Sequence, residues 1–373
     1  MAERRSHFDV HSAYFGSYLI KFRFVAKDAR RLKSLSPSKK AIYIVAHHFS
    51  GVVMKALILC DGYGKEQSVY AGSPNALISL TEGFAVIDKL LLDLATVGLR
   101  EAVLLTSVSF SSVQAALGSE RKGVTLSYEQ STRTSKNIVS VLAKMDDDVL
   151  VMDCGIVADI NLKKMIIKFT RAAAPVLIYA AIGAESRGST DRVSGVLFDW
   201  ESRAVYGGIF CVRKGCELGQ LVLGDELEDV FPLLADLGQL DVYEEANFWG
   251  TFYTEDGKQR ILREFRNKTA KPWGYEKVQI ITELYLLKEL YIREGYQSSY
   301  HYHKNKDETM LIVRGTGYIE FDDRREYFEV GDTIHIKPYE KHTIVASTDT
   351  VLYEASTPFL EDTTRVKDFY PVR

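Results

Sequence analysis

The eight histidines of this 373-residue chain sit only near its two ends: His7, His11, His47 and His48 early, and His301, His303, His335 and His342 late. The later group has spacing that chemistry can use. His301 and His303 are one residue apart in SSYHYH, a strand-like segment, so both imidazoles leave the same face. Glu308 follows after the short bend KNKD, and His342 arrives at the far end of a second strand, behind the Gly331-Asp332 turn and Pro338. Three imidazoles and one carboxylate converging inside a barrel make a site for one divalent transition metal, with solvent or substrate in the remaining positions. Zinc, manganese, iron, cobalt and nickel all suit that donor set. The competing reading is a metal-free, sugar-binding barrel with the same histidines on its surface.

Elements must position these groups, and the chain is too long for a single ordinary core. From Met54 to about Leu262, the runs KALILC, AVLLTS, VTLSYE, DVLVMDC, VLIYAAI and GGIFCVR read as buried strands. Val86, Ile87, Leu90, Leu91, Leu94 and Val97 give one amphipathic helix, and Asn161 starts another. The alternation predicts an α/β, Rossmann-like lobe with a mostly parallel sheet and any site beyond the strands' carboxyl ends. REFRNKTAKP, residues 263–272, reads as a linker. From 273 to 373, short β-branched and aromatic runs with turns at Gly315-Thr-Gly317 and Gly331 predict an all-β barrel.

Composition narrows the classes. With 46% hydrophobic and 26% charged residues the chain is globular rather than disordered or fibrous, and a net charge of −3 gives no reason to expect nucleic acid. Charge is uneven, since residues 1–53 hold ten Lys/Arg against three Asp/Glu. This basic N-terminal extension reads either as an arm for an anionic partner or as a plain extension. Cys60, Cys154 and Cys211 fall in apolar runs as core thiols, and with Cys216 they form no CxxC pair. A soluble protein of a reducing cytoplasm is expected, with no membrane span and no secretory signal.

The pattern H-x-H-x4-E-x6-G from His301 to Gly315, then G-x6-P-x3-H from Gly331 to His342, resembles the two cupin motifs. Tyr339 or Glu340 stands where a glycine is usual in the second. KPWGYEK, residues 271–277, and YLLKELYIREGYQSSYHYHKNKDETMLIVRGTGYIEF resemble the cupin domain of type II mannose-6-phosphate isomerases, often fused behind a mannose-1-phosphate guanylyltransferase. That resemblance implies a sugar phosphate substrate, His301, His303, Glu308 and His342 as metal ligands, and a proton moved between adjacent carbons beside the metal. His335 is one option for the base. Arg314, sharing strand parity with Glu308, and Lys337 are candidate cations for the phosphate, while Arg324-Arg325 reads as a solvated hairpin. Trp273 either stacks on sugar or packs. A homodimer is expected by analogy with cupins.

Residues from Met54 resemble a sugar-1-phosphate nucleotidyltransferase through MKALILCDGYGKEQSV, SPNALISLTEGFAVIDKLLLDLATVGLREAVLLTS and DVLVMDCGIVADINLKKMI. Gly62 and Gly64 keep the family's glycine loop, but Lys65-Glu66 replaces its Thr-Arg and Pro74-Asn75 its Pro-Lys. The base-binding segment GTAGAI is Arg133-Thr-Ser-Lys-Asn-Ile138 here, and Cys154-Gly155 and Trp249-Gly250-Thr251 stand where metal-binding aspartates belong. Asp153 and Asp61 are the nearest substitutes. The reading is an inactive lobe that does not hold magnesium, attached to a metal-dependent isomerase. The alternatives are a non-catalytic sugar-nucleotide-binding regulator and the full bifunctional enzyme.

Overall fold

The computed structural model describes residues 9–15, 18–24, 54–61, 74–107, 110–131, 134–182, 204–218 and 230–370. Two compact units divide at Met54. In the first, Asp9–Phe15 and Tyr18–Phe24 pair as an antiparallel hairpin with Asp9 opposite Phe24. Sequence patterning assigns no regular element there, yet aromatic and aliphatic residues flanking Gly16-Ser17 are what a hairpin needs.

The second unit opens with an α/β lobe. Its strands are β1 (Met54–Leu59), β2 (Glu101–Thr106), β3 (Val124–Gln130), β4 (Asp148–Asp153), β5 (Val176–Ile182), β6 (Ala204–Val212) and β7 (Leu240–Glu245). With the two-residue strand Glu120–Arg121 they form one sheet in the order β7-β5-β6-β4-β1-β2-β3. Neighbours β4, β1, β2 and β3 run parallel, as do β5 and β7, while β6 runs antiparallel to both of its neighbours. The sheet is therefore mostly parallel. Helices α1 (Val86–Thr96), α2 (Phe110–Leu117), α3 (Ser135–Ala143), α4 (Leu162–Arg171), α5 (Val230–Asp236) and α6 (Glu255–Phe265) cover it. Asp88 caps α1 by accepting from the Ala85 amide at 2.9 Å, and Asn161 caps α4 by accepting from Lys164 at 3.2 Å. Among the described residues, no helix is long and apolar enough to cross a membrane.

Residues 263–272 are not a linker. They hold the end of α6, with Phe265 buried, and then β8 (Lys268–Lys271), which pairs with the next strand. Polar composition misleads here because one face of the helix carries Ile261 and Phe265 into the core while its other residues stay wet. Pro272 follows a strand rather than ending a helix.

Ten further strands complete the barrel: β9 (Gly274–Ile281), β10 (Leu286–Ile292), β11 (Tyr300–His303), β12 (Glu308–Arg314), β13 (Gly317–Phe321), β14 (Arg325–Phe328), β15 (Thr333–Ile336), β16 (His342–Ala346), β17 (Thr350–Ser356) and β18 (Thr363–Lys367). They form two sheets, β8-β9-β10-β17-β12-β15 and β14-β13-β16-β11-β18. Leu290, Ile292, Ile312, Ile319, Ile344 and Leu352 pack between them. Gly315, at φ +89°, cannot be replaced freely, since a Cβ there would meet the Asp349 carbonyl at 2.5 Å.

Candidate metal centre

Two strands of one sheet and one of the other bring the histidine cluster together. His301 and His303 alternate onto one face of β11, and His342, the first residue of β16, is the direct cross-strand partner of His301. The ring centroids of His301 and His342 stand 4.4 Å apart, and those of His301 and His303 5.0 Å. Each Nδ1 faces a backbone carbonyl: Ser299 at 2.8 Å from His301, Asp362 at 2.9 Å from His303 and Glu340 at 3.0 Å from His342. A carbonyl only accepts, so each Nδ1 carries the proton and each Nε2 keeps a lone pair. Burial holds all three imidazoles neutral. It drives His301 well below the ordinary value, helped by His342, lowers His303, and takes His342 down to about 4.

Ligand atoms of the three histidines lie within 4.8 Å of one another. Donors on opposite sides of one ion stand about 4 Å apart at metal–nitrogen bonds of about 2.0–2.1 Å, so slight contraction suffices. Glu308, the first residue of β12, reaches two of the three, its Oε1 3.3 Å from His303 Nε2 and its Oε2 3.7 Å from His342 Nε2. Glu308 Oε2 and His342 Nε2 are buried without a hydrogen-bond partner. Such orphans cost about 1–3 kcal/mol each, and a cation between them would serve both. The donor set fits a divalent transition metal.

Beside this cluster lies a set of buried charges that motif spacing does not reveal. Lys306 Nζ is 3.0 Å from Glu308 Oε1 and 3.0 Å from Glu354 Oε1, and Lys288 is 2.8 Å from Glu354 Oε2. Burial and the neighbouring Glu354 push Glu308 up to about 8. Burial would also raise Glu354, but Lys288 and Lys306 outweigh it and bring that carboxyl down to about 2. Strand alternation places two of these residues: Lys288 shares the inward face of β10 with Leu286 and Leu290, and Glu354 shares that of β17 with Leu352. They are direct cross-strand partners. A charge in an inward slot is the signal that finds them; Lys306, in a bend, has none.

His335, Arg314 and Lys337 stand outside the cavity. On β15, Ile334 and Ile336 take the inward slots, which turns His335 outward to pair with Asp307 at 2.8 Å and leaves Lys337 exposed as well. Arg314 loses its parity with Glu308 because the register with β17 shifts between Ile312 and Arg314, a bulge that leaves it exposed near Tyr291. Arg324 and Arg325 pair with surface glutamates. Trp273 is buried in the barrel core and also lines the cavity. Tyr339, where the motif has a glycine, takes the left-handed φ of +67° that a glycine would favour.

The cavity above the imidazoles holds about 520 Å³ and is lined by both parts of the unit, with Phe84, Leu92 and Lys122 coming from the lobe. In the lobe itself, Gly62 and Gly64 lie outside the described residues. Asp61 accepts from the Ser107 amide at 2.7 Å and the Thr106 hydroxyl at 3.0 Å. Asp153 accepts from the Gly155 amide and from the Tyr253 hydroxyl, both at 2.7 Å. The Tyr253 ring fills the space beside Gly155, where a Cβ would come within 2.3 Å of it.

A mostly parallel α/β lobe leading into a two-sheet barrel floored by histidines defines a protein with a cupin at its C-terminal end. Residues 289–353 match the Cupin domain family. No curated protein is significantly similar in sequence. Among solved structures, a putative glucose-1-phosphate thymidylyltransferase from Bacillus anthracis is similar at 15% identity and a TM-score of 0.48, over 59% of this chain and 98% of its own. KdgF from a Halomonas species is similar at 18% identity and a TM-score of 0.25, over 26% of this chain and 92% of its own. Ectoine synthase from P. lautus is similar at 17% identity and a TM-score of 0.25, over 29% and 84%.

Proposed function

We propose that the cupin is a divalent-metal-dependent isomerase that interconverts aldose and ketose sugar phosphates, of the mannose 6-phosphate type, and that the lobe has given up nucleotidyl transfer. One observation carries the reading: three Nε2 lone pairs, freed by carbonyl-held Nδ1 protons, converge on the floor of a cavity beside a buried Lys–Glu cluster.

In the aldose-to-ketose direction a base takes the proton from C2, the C–H electron pair becomes the C1–C2 double bond, and the carbonyl oxygen on C1 takes up a proton. The proton then returns to C1 while the C2 hydroxyl gives up its own and becomes the carbonyl. When bound, the metal supplies positive charge against the negative charge building on those two oxygens. His301, His303 and His342 would hold it, with Glu308 alongside. Proton movement falls to the buried carboxyl of Glu308, beside Lys306, because the alternative base His335 faces away from the cavity.

For the lobe, the supporting geometry is Asp153 held by Tyr253 and Gly155, with a tyrosine ring where a carboxylate on residue 155 would need room. Nucleotidyl transfer requires a carboxylate-held cation at the triphosphate, and the Lys-to-Asn and Arg-to-Glu departures at Asn75 and Glu66 remove its clamp.

Metal analysis of the purified chain, with turnover of mannose 6-phosphate to fructose 6-phosphate before and after chelation, tests the reading. His303→Ala is expected to lose both metal and turnover; full turnover in that variant rejects the site. Nucleotide release from sugar 1-phosphate plus GTP would reinstate the lobe as a transferase.

A further inference from the structure

We infer that the lobe supplies a specificity residue to the cupin's cavity: Lys122 binds the phosphate of the sugar phosphate. The inference rests on the isomerase reading for its substrate, and on the geometry of the cavity for its residue.

The cupin's own share of the cavity lining has no unengaged cation to offer a phosphate. It carries four cations, Lys271, Lys288, Lys306 and Arg365, against five carboxylates. Those cations are engaged: Lys306 and Lys288 with Glu308 and Glu354, Lys271 with Glu276 at 3.5 Å, and Arg365 with Asp368 at 3.9 Å. Lys122 is the exception. Among the described residues it has no carboxylate partner, and its Nζ lies 5.9 Å from the centroid of Phe84, which also lines the cavity. Its charge adds to the metal's in making the cavity attractive to a dianion.

The backbone holding Lys122 is built to present it. Glu120–Arg121 and Val124 onward form a hairpin whose two-residue turn is Lys122-Gly123, with φ of +51° and +71°. Positive φ at both positions is the primed turn that prefers asparagine and glycine. A lysine at the first position is conformationally unfavourable and remains only because the surroundings fix it. The neighbouring Arg121 does the fixing: its Nε and a terminal nitrogen grip the two oxygens of Asp88 at 2.7 and 2.8 Å. Asp88 is fully buried and also caps α1. The turn is thereby tied to the lobe's first helix, holding in place a lysine that lines the cavity, where a compact ammonium suits a phosphate. Neither Arg314 nor Lys337 can serve, since both lie on the barrel's outer surface.

The test compares the metal-loaded full chain with Lys122→Asn, Lys122→Ala and Lys122→Arg. Affinities for inorganic phosphate, mannose and mannose 6-phosphate are read by calorimetry, together with KM and kcat. In the wild type, mannose 6-phosphate is expected to bind at least tenfold more tightly than mannose, with Lys122→Asn and Lys122→Ala losing most of that preference. Lys122→Arg retains it. The loss should appear mainly in KM, and metal content should stay constant. Lys122→Asn, suited to positive φ, should also unfold at a higher temperature than the wild type, a gain a merely structural lysine would not couple to weaker binding. Wild-type isomerisation with an unchanged phosphate preference in Lys122→Asn overturns this inference and leaves the isomerase reading intact. No turnover and no sugar binding in the wild type overturns the isomerase reading; the inference then survives only if inorganic phosphate binds the wild type more tightly than Lys122→Asn.

Discussion

Replacing Lys306 by methionine keeps the side chain's length and removes its charge. Lys306 is buried, with a carboxylate 3.0 Å away on either side. Breaking a buried ion pair by deleting one partner costs about 3–5 kcal/mol. Lys288 still holds Glu354 at 2.8 Å, and Glu308 can take up a proton, so the expected loss in the metal-free protein at neutral pH is about 3 kcal/mol. At about 1.5 °C per kcal/mol for a unit of this size, the unfolding midpoint falls by about 4–5 °C. The pH dependence has a definite sign. Glu308 has a raised folded value, so its contribution is present below the ordinary carboxylate range and lost as pH climbs to about 8. In the variant the value rises further, so the deficit widens above pH 8 by about 1.4 kcal/mol per pH unit. Saturating metal places a cation beside Glu308 and should shrink the deficit. Calorimetric scans of wild type, Lys306→Met, Glu308→Gln and the double variant, with and without chelator, check this. The double variant should be more stable than the two single losses added together, because the stranded carboxylate is gone. Strict additivity of the two losses refutes the coupling and the proposed cluster with it.

His342 has a folded value of about 4, so its contribution to stability is complete above the ordinary imidazole range and disappears as pH falls through 4. Chelator-treated protein should lose about 3 kcal/mol from this group on acidification, and urea titrations of His342→Gln should show a shallower acid slope by that amount. Gly155→Ala drives a methyl to within 2.3 Å of the Tyr253 ring and should cost about 1–3 kcal/mol. Combined with Tyr253→Ala the same change should cost little more than Tyr253→Ala alone, as read from urea midpoints. Arg293→Met leaves Asp93 with Lys89 as its remaining partner and should lower whole-chain stability by about 3 kcal/mol, part of which Asp93→Asn restores in the double variant.

The histidine site was legible because strand alternation and short spacing act over a few residues. One x residue between His301 and His303 fixes their common face, and no tertiary contact can alter that. The candidate base and the candidate phosphate cation face outward where parity has to be carried further. The parity of Arg314 breaks at a bulge that the sequence of β12 does not announce, and the titration range of His335 says nothing of its facing, which Ile334 and Ile336 decide by claiming the inward slots. The mostly parallel sheet followed from apolar runs alternating with helical periods, but the reversal of β6 did not, since a buried strand reads alike in either direction. Nothing in the local sequence marks Lys122, because its place in the lining depends on a hairpin from one part of the chain reaching the cavity of another.

The buried seam between lobe and cupin ties these findings together. Asp93 on α1 meets Arg293, just beyond β10, at 3.5 Å and Lys89 at 2.5 Å. Asp159 meets Lys268 of β8 at 2.7 Å and Lys89 at 3.7 Å. Burial would raise Asp159, yet Lys268, Lys89 and Arg293 hold it well below the ordinary carboxylate range. These charges are nearly inaccessible to water, so separating the two parts would strand several ions at once. A lobe kept for its own catalysis would need only a tether to the cupin. This one is joined by a strand-paired segment and an internal ion network, and its α1 holds Asp88 on one turn and Asp93 further along. The helix that grips the Lys122 hairpin through Asp88 is thus the helix locked to the cupin through Asp93. The proposed loss of nucleotidyl chemistry in the lobe is compatible with its retention, because the lobe supplies Phe84, Leu92 and Lys122 to the cavity's lining.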